Sequence, residues 1–180
     1  MRLALLAAAC LAATPALAAL PAGAKAPAFT TQGAQAGKVV TVDLQRLLAK
    51  GPVVLYFFPA AFTSGCNAEA RAFAEKLPAF SKAGATVVGI STDTVPVLQK
   101  FSEQECAGKF AVATATPAIV KGYDVALGRA IPGKGAVTNR TSYVIGRDGR
   151  IAMVHSEMSP VDHITKTLAS VEAMRAGGAK

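Results

Sequence analysis

Val53-Val54-Leu55-Tyr56-Phe57-Phe58-Pro59-Ala60-Ala61-Phe62-Thr63-Ser64-Gly65-Cys66 is the stretch on which the fold turns. Its first six residues form an unbroken apolar run rich in β-branched and aromatic side chains, bounded by Pro52 and Pro59. A short run without alternation reads as a strand buried on both faces. From Cys66 to residue 80 the pattern changes. Ala68, Glu69, Ala70, Ala72, Ala74 and Glu75 are good helix formers, and Pro78 is expected to kink or end their helix. Buried strand, loop and helix together are the repeating unit of an α/β sheet. Ligands of such sheets gather where a strand ends and a helix begins.

The flanking sequence extends this unit. Residues 39–44 and 86–91 read as strands, and residues 44–50 as a helical turn stopped by Gly51-Pro52. Residues 19–37 are loop-like. Asp93 or Thr94 can cap a helix over residues 96–105, with Pro96 in its first turn. Residues 110–113 suggest a short strand and 117–123 a short helix. Residues 141–146 and 151–155 are two more strands, joined through Asp148-Gly149, a strong hairpin signal. Ser159 opens a last amphipathic helix with Ile164, Leu168 and Val171 on one face. This order predicts an α/β protein with a central mixed β-sheet flanked by helices, which a thioredoxin-like fold matches.

Length and composition agree with one domain. The chain has 180 residues, 52% hydrophobic and 17% charged, enough for a packed core and too apolar for disorder. Residues 1–18 begin Met1-Arg2, continue with Leu and Ala, and end Ala16-Leu17-Ala18. A basic start, a short apolar run and a small-x-small end describe a cleaved secretory signal peptide, leaving residues 19–180 as the domain. The run is too short for stable membrane insertion. Cys10 lies in that leader, so the exported chain keeps Cys66 and Cys106. A periplasm, which permits disulfides, suits both features. The net charge is +8, but the basic residues are scattered and Trp is absent. Neither a basic arm nor a stacking platform for nucleic acid is present.

The chemistry concentrates around Cys66. In the first turn of a helix it meets unpaired backbone N–H groups and the positive end of the helix dipole, both of which favour a thiolate. Thr63 is placed to cap that helix or to bond the sulfur or a bound oxygen. Pro59 has no N–H and can shield the site from water. A thioredoxin dithiol would need Cys at Glu69, and a copper-binding module would need one at Ala70. His155 and His163 lack an aligned acidic partner for a Cys–His hydrolase. A glutathione-peroxidase-like reading would need a Trp.

Pro59, Thr63 and Cys66 match the Pro-x-x-x-Thr-x-x-Cys motif of the peroxiredoxins. The similarity extends through Tyr56-Phe57-Phe58, Glu69, residues 87–91 and Arg140-Thr141-Ser142-Tyr143-Val144-Ile145, and covers about residues 22–172. The peroxiredoxin Q (bacterioferritin comigratory protein) subgroup is the most similar. The resemblance implies that Cys66 is the peroxidatic cysteine, Thr63 bonds the peroxide, and Pro59 covers the pocket. Arg140 would face the thiolate, with Glu69 orienting Arg140 or Arg71. It implies hydrogen peroxide and organic hydroperoxides as substrates, a thioredoxin-like or other dithiol reductant, a monomer, and no metal or other cofactor. Arg71 stands where some of the subgroup carry a resolving cysteine, which leaves Cys106 for that role, or an external thiol in its place. An exported redox-sensing or binding protein without turnover is the alternative.

Overall fold

A computed structural model describes residues 19–177, so the expected signal peptide over residues 1–18 lies outside the described residues. The decisive apolar run forms β3 (Val53–Phe57), buried at every position. Its alternation is hidden because both faces are covered. Val54 and Tyr56, with Phe58 just beyond, pack into one core with Phe73, Phe80, Leu98, Phe101 and Val171. Val53, Leu55 and Phe57 point into a second core with Leu44, Leu48, Ile119, Tyr123 and Tyr143.

β3 lies in a seven-stranded sheet of order β2-β1-β5-β4-β3-β8-β9. It runs parallel to β4 (Thr86–Ser91), which runs parallel to β5 (Ala111–Thr114). On the other side it pairs antiparallel with β8 (Thr141–Ile145), which pairs with β9 (Ile151–Ser156). β1 (Thr30–Gln35) and β2 (Lys38–Asp43) complete the edge beyond β5, antiparallel to it and to each other. The helices are α1 (Leu44–Leu48), α2 (Ser64–Lys82), α3 (Val95–Gln104), α4 (Pro117–Gly122) and α5 (Val161–Gly177). This is the predicted thioredoxin-like arrangement: a central mixed sheet flanked by helices. Gly89 in β4 is required by a close approach. A Cβ there would sit 2.7 Å from the Tyr56 ring, the side chain on the neighbouring strand.

Three local expectations are corrected. Residues 30–35, expected as loop, form β1. Thr-Thr-Gln-Gly-Ala-Gln has no strand pattern of its own and is held by partners on both sides. A separate hairpin of β6 (Ala126–Ile131) and β7 (Gly135–Thr138) was also unforeseen, because its residues are mostly exposed and Gly-rich. Pro78 does not end α2, which runs on to Lys82. The fully buried Phe73 and Phe80 on either side of it offset the cost of a Pro interior, about 3 kcal/mol. Of the two caps expected for α3, Thr94 is the N-cap, through its backbone alone, and Asp93 turns its carboxylate inward to another task.

Candidate active site

Thr63 is the N-cap of α2, with extended backbone (φ −94°, ψ 148°), so Cys66 falls in the first helical turn. Its side chain is 1% exposed. Arg140, the residue before β8, reaches across and places Nη2 3.4 Å from Cys66 Sγ. The guanidinium is held on two other edges. Nε donates to the Met158 carbonyl at 2.9 Å, and Nη1 donates to Glu69 Oε2 one helical turn beyond Cys66. Gly65 makes room for it, since a Cβ there would lie 3.3 Å from Nη2. Burial works against the guanidinium charge, but the Glu69 carboxylate and the Cys66 sulfur outweigh it and raise the Arg140 pKa. Glu69 therefore orients Arg140; Arg71 pairs instead with Glu105 at 2.7 Å. Burial pushes the Glu69 carboxyl up, to about 7, against the pull of Arg140.

Thr63 does not cap α2 with its side chain, as one sequence reading allowed. Its hydroxyl donates to the Ala60 carbonyl at 2.9 Å, which commits the hydrogen and leaves the oxygen as an acceptor beside the first turn. Pro59 is buried at the start of the same loop. The loop is strained: Phe62 has φ +64°, an uncommon conformation for a bulky residue, and its ring is 42% exposed. Two contacts hold it there. The Phe62 ring meets Phe101 edge-on at 5.4 Å, and the Ala61 N–H donates to Asp93 Oδ2 at 2.7 Å. Asp93 also accepts from Ser91 Oγ at 2.9 Å and from Lys134 Nζ at 2.7 Å. Sequence reasoning missed both Asp93 and Lys134, because Lys134 lies in the unforeseen hairpin. An open cavity of about 500 Å³ runs from Thr63 along Ala61, Phe62, Val97, Lys100 and Lys134.

Cys106 sits just past the end of α3, fully buried, and both cysteines are free thiols. Burial, and then Glu105, push the Cys106 thiol far up. The two cysteines belong to one core, and the Tyr56 hydroxyl lies within electrostatic reach of both. The Arg71–Glu105 pair bridges α2 to the residue before Cys106. His163 is fully buried with Nδ1 3.8 Å from Glu69 Oε1, so the acidic neighbour not evident in the sequence exists, although it faces Arg140 as well.

A buried thiol at a helix N-terminus, faced by an arginine whose remaining edges are all satisfied, is equipped to break a polar single bond by nucleophilic attack. Residues 22–154 match the AhpC/TSA family. The chain belongs to this family, the peroxiredoxins, and is a thiol-dependent peroxidase. A protein named a peroxiredoxin in Mycobacterium tuberculosis is 37% identical over 135 residues, 74% of this chain and 86% of its own. The chloroplastic peroxiredoxin Q of Suaeda salsa is 34% identical over 82% of this chain and 66% of its own. Among solved structures, the peroxidoxin BcpB of M. tuberculosis superposes with a TM-score of 0.75 at 32% identity, covering 85% of this chain and 97% of that one. Peroxiredoxin Q of Xanthomonas campestris gives 0.68 at 25% identity, over 80% and 90%.

Proposed function

We propose that Cys66 is the nucleophile, and that the chain reduces hydrogen peroxide and organic hydroperoxides through it. The observation that carries this is the Cys66 Sγ to Arg140 Nη2 contact of 3.4 Å at the N-terminus of α2. The thiolate attacks one peroxide oxygen in line with the O–O bond. The S–O bond forms as the O–O bond breaks, and the departing hydroxide or alkoxide takes up a proton. Cys66 is left as sulfenic acid. Arg140, the backbone N–H groups of the first turn and the Thr63 oxygen hold the two peroxide oxygens while charge moves between them. Pro59 keeps water from the pocket. The cavity beside Thr63, with Phe62 and Val97 in its wall, can take the organic part of a hydroperoxide.

Cys106 then resolves the sulfenic acid. Its sulfur attacks that of Cys66, water leaves, and a disulfide remains. A thioredoxin-like dithiol reduces it. Cys106 cannot act from its buried position, where the thiol is held protonated. The first turn of α2 and the end of α3 must therefore open locally, which includes releasing Arg71 from Glu105. We read the chain as an exported, periplasmic monomer. Its first 18 residues support export; the monomer is the expectation of the peroxiredoxin Q resemblance, and light scattering tests it.

Hydrogen peroxide consumption with a dithiol reductant tests the scheme in wild type, Cys66→Ser and Cys106→Ser. Loss in both variants, with an intramolecular disulfide in peroxide-treated wild type, is the expected result. Loss in Cys66→Ser alone replaces Cys106 by an external thiol. Turnover surviving Cys66→Ser overturns the assignment.

A further inference from the structure

On the side of Glu69 away from Arg140, a buried polar atom stands unpaired. Glu69 Oε2 takes the bond from Arg140, while Oε1 is buried with no hydrogen bond among the described residues. Facing Oε1 at 3.8 Å is Nδ1 of His163, and neither side chain has any exposed surface. The tautomer of His163 follows from its other contacts. Nε2 lies 2.9 Å from the Glu157 carbonyl, which can only accept, so Nε2 carries the hydrogen. Nδ1 is then the bare nitrogen of a neutral ring and accepts from Ser142 Oγ at 2.8 Å. The groups around the ring come from every packed element. They are Glu69 on α2, Arg140 before β8, Ser142 on β8, His155 on β9 with ring centroids 4.5 Å apart, and Lys166 on α5 itself. Burial above all, opposed by the bond to the Glu157 carbonyl and helped by His155, Arg140 and Lys166, holds the imidazole down to about 4.

Two acceptors thus face each other in a dry interior with no hydrogen between them. Nδ1 has a single lone pair, which the Ser142 hydroxyl holds while Oε1 is bare. A proton on Oε1, donated to Nδ1, pairs the carboxyl and takes that place as the Ser142 hydroxyl rotates away. We propose that Glu69 Oε1 and His163 Nδ1 form a shared proton site that sets how much of the Arg140 charge is available to Cys66, which makes His163 a positioning residue for peroxide reduction. With the site empty, Glu69 is a full anion that competes with the sulfur for the guanidinium. With the site filled, the carboxyl is neutral, and the Arg140 charge is left to the thiolate and the peroxide oxygens. Thiolate formation and proton uptake at this site therefore favour each other, and the effect is reciprocal. The site takes up and returns one proton and no electrons, so the peroxide chemistry itself is unchanged. The proposal rests on the reading of Cys66 as nucleophile.

Imidazole 15N NMR of the reduced, full chain between pH 5 and 9 tests it. The expected result is an Nε2–H tautomer whose Nδ1 shift steps near neutral pH. The step disappears in Glu69→Gln and moves to lower pH in Cys66→Ser, where no thiolate draws the proton. The second arm is the pH profile of Cys66 oxidation by stoichiometric hydrogen peroxide, followed by mass. His163→Leu displaces the neutral ionisation of that profile by about half a pH unit or more, a coupling of ordinary size for neighbouring sites. His163→Asn, which keeps a polar atom at the Nδ1 position, restores it. An Nδ1 shift that is flat with pH overturns the proposal, as does a His163→Leu profile that superimposes on wild type after scaling. Absence of any Cys66 oxidation, with the NMR step intact, overturns instead the reading on which it rests.

Discussion

Arg140→Met removes a guanidinium and keeps most of its length, and the geometry sets two separate losses. The donor 3.4 Å from Cys66 Sγ disappears. Losing one preorganised donor to a charge-shifting transition state costs about 10²–10³ in rate, or roughly 3–4 kcal/mol of barrier. Glu69 is meanwhile left buried with neither oxygen paired. Orphaning one member of a buried pair destabilises by about 3–5 kcal/mol. That second loss depends on pH. Burial already holds the Glu69 carboxyl up at about 7, and without Arg140 it rises further. A carboxyl with its folded pKa above its unfolded value binds a proton on folding. The variant therefore recovers stability at low pH and loses it as pH rises through the folded value, so its deficit against wild type is larger at pH 8 than at pH 6. Arg140→Met/Glu69→Leu removes both charges. Urea unfolding should find stability largely regained, while quenched-flow oxidation of Cys66 by peroxide should find the rate still low. The reasoning is refuted if the double variant also regains the rate to within about threefold of wild type, because the single-variant loss would then be structural.

Three further outcomes follow from the same geometry. Asp93→Ala strips the acceptor from the Ala61 N–H, Ser91 and Lys134. It should relax the strained Phe62 and slow Cys66 oxidation about tenfold, whereas Lys134→Ala, removing only a half-exposed partner, costs about 1 kcal/mol of unfolding free energy or less. Arg71→Ala frees Glu105 next to Cys106 and should speed disulfide formation without changing the first oxidation step, measured by mass after a peroxide pulse. In unfolding against pH, Glu69, with its folded pKa raised, lowers stability as pH rises from about 4.5 to 7. His163, held down to about 4, raises stability over about 4 to 6.5. The two slopes oppose, so wild type should be nearly flat from pH 5 to 6.5, and His163→Asn should expose the falling slope of Glu69.

The sheet centre was legible because β3, β4, β8 and β9 carry dense apolar runs or a hairpin dipeptide that need no context. β1 and the β6–β7 hairpin were not, because polar and Gly-rich residues become strands only when neighbours supply their hydrogen bonds. Cys66 and Thr63 were found through a motif with fixed spacing and Arg140 through the wider resemblance, which places an arginine before a later strand; the structure brings Cys66 and Arg140 into contact. Glu69 was undecided between Arg140 and Arg71, since helix periodicity says which face a residue occupies but not which of two arginines lies over it. Asp93 looked like an ordinary cap. Its inward turn depends on the Ala61 N–H, a partner 32 residues away. His163 was weighed as a base and set aside for want of an acidic partner, because its meeting with Glu69 and Ser142 requires α5 to be packed against β8.

The most direct test of the central claim is to trap the oxidised sulfur. The reduced protein receives one equivalent of hydrogen peroxide in the presence of dimedone, which captures sulfenic acid, and the labelled peptide is identified by mass. The account predicts the adduct on Cys66, more of it in Cys106→Ser where no resolving thiol competes, and almost none in Arg140→Met at early times. An adduct on Cys106, or wild-type labelling unaffected by loss of Arg140, would contradict it.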